Sequence, residues 1–186
     1  MKAVTELFNL NIASVENLDG DINYSNIKYA IEDIDGKKYI LKIFPDEEEC
    51  ILAKEESRIL NEIGEHLSFK VPQTILSPNQ QLFFQHPKGE AKLLNYIDGK
   101  FIAKVPHTKE LLFSLGAKIA ELSTALQKIK SPLLSARILF WDIQHALLSY
   151  PKITFIEEPE RRKLINYFFD RFQQIVLPEQ PFLRYG

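Results

Sequence analysis

The chain has one cysteine, Cys50, among 186 residues. That excludes an internal disulfide framework and fits a reducing compartment. Neither sign of charge is in excess: 23 basic residues stand against 25 acidic ones, for a net charge of −2. Without a basic excess there is no case for nucleic acid, and without a Lys/Arg-rich run none for a membrane surface. No apolar run is long enough to span a bilayer, and Met1-Lys2-Ala3-Val4-Thr5-Glu6 lacks the apolar core of a secretion signal. These absences predict a soluble, cytoplasmic protein.

Chemical motifs are equally sparse. There is no Gly-x-Ser-x-Gly elbow, Walker loop or Gly-x-Gly-x-x-Gly fingerprint. His66, His86, His107 and His145 are too scattered for a metal cluster. Asp19-x-Asp21-x-Asn23 has the spacing of a calcium loop, but Tyr24 stands where glycine is needed and Ala30 where glutamate is needed. Cys50 sits in the first turns of a predicted helix with no base beside it in sequence, and reads as structural.

What is present begins with Tyr39-Ile40-Leu41-Lys42-Ile43-Phe44, an apolar strand with a lysine set in its middle. Side chains alternate along a strand, so Lys42 shares its face with Ile40 and Phe44. A lysine there is either buried against an anion, from a side chain or a ligand, or is an edge lysine whose head reaches water.

Around this strand the pattern predicts an ordered series. Residues 2–9 suit a short helix, 11–17 a strand, and 26–32 an alternating strand that leads through Asp33-Ile34-Asp35-Gly36 into the lysine strand as a hairpin. Asp46 caps a helix that opens with three glutamates and ends at Gly64, its stripe formed by Ile51, Leu52, Ile59, Leu60 and Ile63. Glu55 and Glu56 flank that stripe, and either could face Lys42. Residues 72–77, 81–85 and 91–97 read as further strands. From Thr108 the spacing turns helical: one long helix carries Leu111, Leu112, Leu115, Ile119, Leu122 and Leu126. A second starts near Trp141-Asp142. A third covers 157–176, with Leu164, Ile165, Phe168, Phe169, Phe172 and Ile175 inward. The predicted class is α+β, with lobes at 1–97 and 98–186.

This order resembles the N-terminal lobe of protein-kinase-like folds, and in detail the small-molecule kinases of the aminoglycoside phosphotransferase and choline kinase superfamily. Tyr39-Ile40-Leu41-Lys42-Ile43 resembles the strand with the nucleotide-binding lysine, and Glu56-Ser57-Arg58-Ile59-Leu60 the Glu-x-x-x-Leu helix. Leu93-Leu94-Asn95-Tyr96-Ile97-Asp98-Gly99 resembles the hinge strand, and 116–126 the first helix of the larger lobe. Arg137-Ile138-Leu139-Phe140-Trp141-Asp142 is similar to a segment of the hydroxylysine kinase subgroup, some of whose members are fused to pyridoxal-phosphate aminotransferases.

The resemblance implies a protein-kinase-like N-lobe, 1–97, followed by the first helices of an incomplete C-lobe, 98–186. It implies ATP and Mg2+ as cofactors and a small-molecule hydroxyl as phosphate acceptor, of amino-alcohol, hydroxy-amino-acid or aminoglycoside-like type. By resemblance Lys42 contacts the phosphates and Glu56 holds its ammonium, with Glu55 as the alternative. Asn23 and Tyr24 belong to the loop over the phosphates, and the backbone of Asn95 and Ile97 meets the adenine edge. No His-x-Asp occurs in the chain, so the resemblance puts the catalytic base and the Mg2+ ligands beyond Gly186, in a longer kinase of which this is the N-terminal portion. It also implies apolar helix faces left uncovered, with self-association as one outcome. Two readings of other classes stand beside it: a kinase-like module that binds without catalysis, and an unrelated α+β interaction domain in which Lys42 and Glu56 form only a structural pair.

Overall fold

The computed structural model describes residues 2–18, 26–139 and 142–182. Two compact units divide at Ser131, Met1–Ser131 and Pro132–Gly186. The change from strand to helix falls near the expected place, since the last strand ends at Asn95 and every later regular element is helical.

The first unit is built on five antiparallel strands: β1 (Ile12–Asn17), β2 (Ile27–Asp33), β3 (Lys38–Phe44), β4 (Phe84–His86) and β5 (Gly89–Asn95). Their order is β1-β2-β3-β5-β4, which puts the lysine strand β3 in the centre. The α+β expectation holds. Residues 72–77, expected as a full strand, supply a single bridge between Thr74 and Leu94, extended by the Ile75 amide on the Leu93 carbonyl at 2.7 Å.

The two faces of the sheet differ. On one, Tyr39, Leu41 and Ile43 join Ile31, Ala91, Leu93 and Phe84 in the main core. The short helix α1 (Lys2–Phe8) closes this core with Val4, and Leu7 and Phe8 pack against it. The other face carries Ile40, Lys42 and Phe44, and α2 (Glu47–Gly64) lies over it, with Cys50 and Ala53 packed on Phe44. Asp46 caps α2 by accepting from the Glu49 amide at 3.0 Å. Of the predicted stripe of α2, Ile59 and Ile63 are buried as expected. Ile51 is exposed, whereas Ser57, a polar residue, is among the most buried in the chain. The helix is turned so that Ser57, with Cys50 and Ala53, faces the sheet, because a charged strand residue there needs acceptors.

Two turns hold the strands in register. In the β2–β3 hairpin Gly36 takes φ +78°, and the buried Asp33 carboxylate accepts from the amides of Asp35 and Lys37 and from the Tyr39 hydroxyl. In the β4–β5 turn Gly89 takes φ +134°, and a Cβ there would lie 2.1 Å from the Phe44 carbonyl oxygen.

Helix α3 (Lys109–Leu126) completes the first unit, capped by Thr108. Of its predicted stripe, Leu112, Leu115, Ile119 and Leu126 are exposed. The second unit contains α4 (Pro132–Ser135), a 3-10 segment Ile143–Phe155 capped by Asp142, α5 (Pro159–Arg171) continuing into a π-turn Phe172–Val176, and α6 (Leu177–Glu179). Phe172 is buried and Phe169 meets Tyr150 edge-on at 5.1 Å. Leu164, Phe168 (61% exposed) and Ile175 do not point into a core as the periodicity predicts. Periodicity marks an apolar face but says nothing of what covers it.

Candidate functional site

The site follows from strand register. In an antiparallel pair, directly opposed residues share a face. Lys28 of β2 lies opposite Lys42, and Lys42 opposite Lys92 of β5. Three lysines thus stand in a row across three neighbouring strands, on the face covered by α2. Like charges so opposed repel, and α2 answers with one carboxylate, Glu56.

The ion pair that Glu56 makes is with Lys92, not with Lys42. Nζ of Lys92 donates to Glu56 Oε2 at 2.8 Å, to Ser57 Oγ at 2.9 Å and to the Ala53 carbonyl at 3.3 Å. These three acceptors use the three donors an ammonium has. Lys92 is 1% exposed and Glu56 48%. The Lys92 ammonium also lies 5.8 Å from the centre of the Phe44 ring and 5.6 Å from that of Phe83. Ser57 is fixed in turn, donating to the Ala53 carbonyl at 2.9 Å and accepting from the Thr74 hydroxyl at 3.2 Å.

Burial would raise the Glu56 carboxyl, but the hydrogen bond from Lys92 and the charges of Lys92 and Lys42 outweigh it and hold Glu56 below its ordinary value. Lys92 is pushed down, by burial first and by the Lys42 charge, while Glu56 opposes. The pair is asymmetric because the lysine is sealed and the carboxylate half open to water.

Lys42 itself is half-buried at the middle of β3, and no carboxylate stands at ion-pair distance from it among the described residues. Its charge nonetheless reaches both Glu56 and Lys92. Neither Glu55 nor Glu56, the two glutamates expected to face Lys42, pairs with it. Glu55 turns outward to Arg58 at 2.8 Å, and this guanidinium, with Ser131 beside it, holds its carboxyl down at about 2. Arg58 also pairs with Glu62.

Asn95 ends β5 with both of its amide functions in use: its backbone N–H donates to the Gln73 carbonyl at 3.1 Å, and its Oδ1 accepts from the Gln73 N–H at 2.7 Å. Ile97 follows it, 38% exposed. A cleft of about 500 Å³ lies beside this strand end, lined by Gly64, Leu67, Phe69, Gln73, Asn95 and Tyr96 among others. Asn23 and Tyr24 lie outside the described residues, as do Phe140 and Trp141 of the expected subgroup segment. Among the described residues no group of three or more His, Cys, Asp and Glu could hold a metal ion.

A second polar group lies on the same face. The Cys50 thiol donates to Glu90 Oε2 at 2.7 Å, and Lys54 Nζ meets the same oxygen at 2.5 Å. Burial and the Glu90 carboxylate push the thiol up to about 11, so Cys50 is a packed hydrogen-bond donor and not a thiolate nucleophile.

Sequence reasoning missed Lys92. The signal was present, since Ala91-Lys92-Leu93-Leu94 is a lysine set in an apolar strand just as Lys42 is. What a sequence does not carry is the register that puts the two lysines side by side.

No protein-family model matches the chain, and no curated protein matches it in sequence. Solved structures do match. Amicoumacin kinase, solved with AMP-PNP and Ca2+, aligns over 100% of this chain and 53% of its own with a TM-score of 0.66 at 16% identity. The aminoglycoside phosphotransferase of Alicyclobacillus acidocaldarius aligns over 94% of this chain and 50% of its own, with a TM-score of 0.59 at 13% identity. Spectinomycin phosphotransferase, solved with ADP and spectinomycin, aligns over 93% and 52%, with a TM-score of 0.56 at 14% identity. The chain therefore shares the fold of these solved kinases, and spans about half the length of the structures it matches.

Proposed function

We propose that this chain, whose fold is that of the small-molecule kinases of the aminoglycoside phosphotransferase type, is the nucleotide-binding part of an ATP-dependent kinase that phosphorylates a small-molecule hydroxyl. The observation that carries the reading is the row Lys28, Lys42 and Lys92 on the face that α2 covers, in which Lys42 has no carboxylate at ion-pair distance among the described residues. A half-buried ammonium left over from such a row suits the α- and β-phosphates of a nucleotide.

In this reading residues 1–97 form the nucleotide-binding lobe, and 98–186 begin the larger one. Lys42 donates to the phosphates and Glu56 orders the lysines beneath them. Asn23 and Tyr24, which the resemblance assigns to the phosphate loop, lie outside the described residues. With the Asn95 N–H engaged by Gln73, the adenine edge is left to the Asn95 carbonyl and the Ile97 backbone. The ADP and AMP-PNP of the neighbouring kinases support the nucleotide. Mg2+ would accompany it and neutralise phosphate charge, but the described side chains offer no set to hold a metal, so we assign them no part in binding it. The acceptor in this reading is an amino-alcohol, a hydroxy-amino-acid or an aminoglycoside-like molecule, and the resemblance of Arg137-Ile138-Leu139-Phe140-Trp141-Asp142 to the hydroxylysine kinase subgroup is what suggests a fusion with an aminotransferase.

Thermal melts with and without ATP test the reading, because a ligand that binds only the folded chain raises its stability by mass action. Millimolar ATP should raise the melting temperature of the wild type and not that of Lys42→Met. An equal response of the two proteins, or none in either, overturns it. Phosphate transfer from radiolabelled ATP to hydroxy-amines is expected to be absent with this chain, which has no His-x-Asp.

A second reading draws on the exposed Leu112, Phe113 and Ile119 of α3 and Phe168 of α5. Apolar surface of this kind suits a kinase-like module that associates with itself or a partner. Light scattering separates the two: self-association at micromolar concentration, with no response to ATP, would favour it.

A further inference from the structure

The segment that follows α2 meets the end of β5 in antiparallel register, with Thr74 opposite Leu94. That register sets Ile75 against Leu93 and Gln73 against Asn95. In a hydrogen-bonded antiparallel pair each residue gives its N–H to the other's carbonyl. The Ile75 N–H donates to the Leu93 carbonyl at 2.7 Å, and the Asn95 N–H to the Gln73 carbonyl at 3.1 Å. The return bond from Gln73 breaks the pattern. Its N–H donates not to the Asn95 main-chain carbonyl but to the Asn95 side chain, Oδ1, at 2.7 Å. A side-chain amide oxygen and a peptide oxygen are the same kind of acceptor, so Gln73 is satisfied either way.

The neighbouring strand β3 makes no claim on the Asn95 carbonyl either. The N–H and C=O of one strand residue point to the same side, and Asn95 turns its N–H to Gln73. Its pairing with Tyr39 is therefore of the kind without hydrogen bonds. The exchange of acceptors takes the Asn95 carbonyl out of the ladder.

We propose that the Asn95 side chain is a positioning residue for the base of the nucleotide: by standing in for its own main-chain carbonyl, it frees that carbonyl to accept from an amino group of the ligand. The proposal rests on the nucleotide reading and deepens it, because base selection then depends on a side chain that acts through the main chain. A carbonyl at residue 95 with an N–H at Ile97 matches adenine, whose 6-amino donor stands beside the N1 acceptor. Hypoxanthine presents the reverse, a 6-oxo acceptor beside an N1–H donor, and meets carbonyl with carbonyl. A leucine at 95 has no side-chain oxygen, so the Gln73 N–H takes the main-chain carbonyl, as the register allows.

Melting temperatures of the whole chain, titrated with ATP and with ITP, give a half-saturation for each nucleotide. In the wild type ATP should bind at least ~10-fold more tightly than ITP, the discrimination one matched pair of hydrogen bonds brings. In Asn95→Leu this ratio should fall to about threefold or less. In Asn95→Asp, which keeps an oxygen for the Gln73 N–H, the wild-type ratio should persist, since the added charge acts on both nucleotides alike. A side chain that merely braced the end of β5 would weaken both nucleotides together and leave the ratio unchanged.

A wild type that does not prefer ATP, an Asn95→Leu ratio above about threefold, or loss of the preference in Asn95→Asp each overturns the proposal. The nucleotide reading survives these results as long as ATP raises the melting temperature. No response to ATP in the wild type overturns both. Should Asn95→Leu not fold, NMR of the wild type decides. The Asn95 carbonyl carbon should shift on adding ATP and stay in place on adding ITP. A carbonyl indifferent to ATP, or moved equally by both, overturns the proposal.

Discussion

Removing either partner of the Glu56–Lys92 pair breaks the same hydrogen bond, yet the two removals should not cost the same. When Glu56 is replaced by Ala, the Lys92 ammonium stays in place, 1% exposed, with only Ser57 Oγ and the Ala53 carbonyl as acceptors and the Lys42 charge beside it. A buried charge that loses its counter-charge typically costs about 3–5 kcal/mol. Glu56→Ala belongs at the lower end, about 3 kcal/mol, because two neutral acceptors remain. When Lys92 is replaced by Met, the carboxylate left behind is 48% exposed and can turn to water. The desolvation that the ammonium suffers disappears, and the thioether fills the space between Phe44 and Phe83 at little cost. A loss of about 1 kcal/mol is expected there, near the value for a single hydrogen bond. Urea denaturation of this chain, followed by circular dichroism, gives both numbers, and the gap between them should be about 2 kcal/mol with Glu56→Ala the worse. If Lys92→Met costs as much as Glu56→Ala or more, the asymmetric burial is not what governs the pair.

Lys42→Met removes a charge opposed to both Lys28 and Lys92, so it should be neutral or stabilise the free protein by up to about 0.5 kcal/mol; a loss above 1 kcal/mol would show an unrecognised partner. Gly89→Ala should be far worse than Gly36→Ala. A Cβ at 89 lies 2.1 Å from the Phe44 carbonyl oxygen, whereas one at 36 meets nothing within 4 Å, so costs above about 3 kcal/mol and near 1 kcal/mol are expected in the same urea assay. On acidification, the folded protein holds Glu56 below its ordinary value of 4.5. The unfolded chain takes up that proton first, so the stabilisation is whole above the ordinary range and is lost as the pH falls below it. Glu56→Gln should flatten this part of the acid limb in thermal melts, and an unchanged limb would remove Glu56 as its source.

The sequence made the framework legible where local chemistry is decisive. Asp33-Ile34-Asp35-Gly36 marks the hairpin, Asp46 with three glutamates marks the start of α2, and Thr108 marks α3; all three are where they were expected. Lys42 and Glu56 were legible as candidates because one is a charge within an apolar strand and the other lies beside an apolar stripe. That Glu56 pairs with Lys92 instead was not legible. It depends on β5 lying against β3 with Lys92 opposite Lys42, a contact between residues fifty positions apart that no local pattern encodes. The same limit explains α2, where Ile51 reads as core but is exposed and Ser57, absent from the apolar stripe, is buried as an acceptor for the Lys92 ammonium. The outward Leu164, Phe168 and Ile175 are the same limit again, as spacing defines a face without naming its neighbour.

The α2 face thus arranges charge in an order that burial dictates. Lys54 and Glu90 neutralise each other with Cys50 as a further donor, and Lys92 and Glu56 do so in the interior. Each pairing is local and complete, and each leaves Lys42 out. An ammonium set between two others without a carboxylate costs the free protein about 0.2–1 kcal/mol per opposed pair, and nothing in the fold requires it, since Ile or Met would fill the same space on β3. On the proposed reading, the charge of Lys42 is explained by a ligand, whereas that of Lys92 is matched within the fold by Glu56, Ser57 and the Ala53 carbonyl.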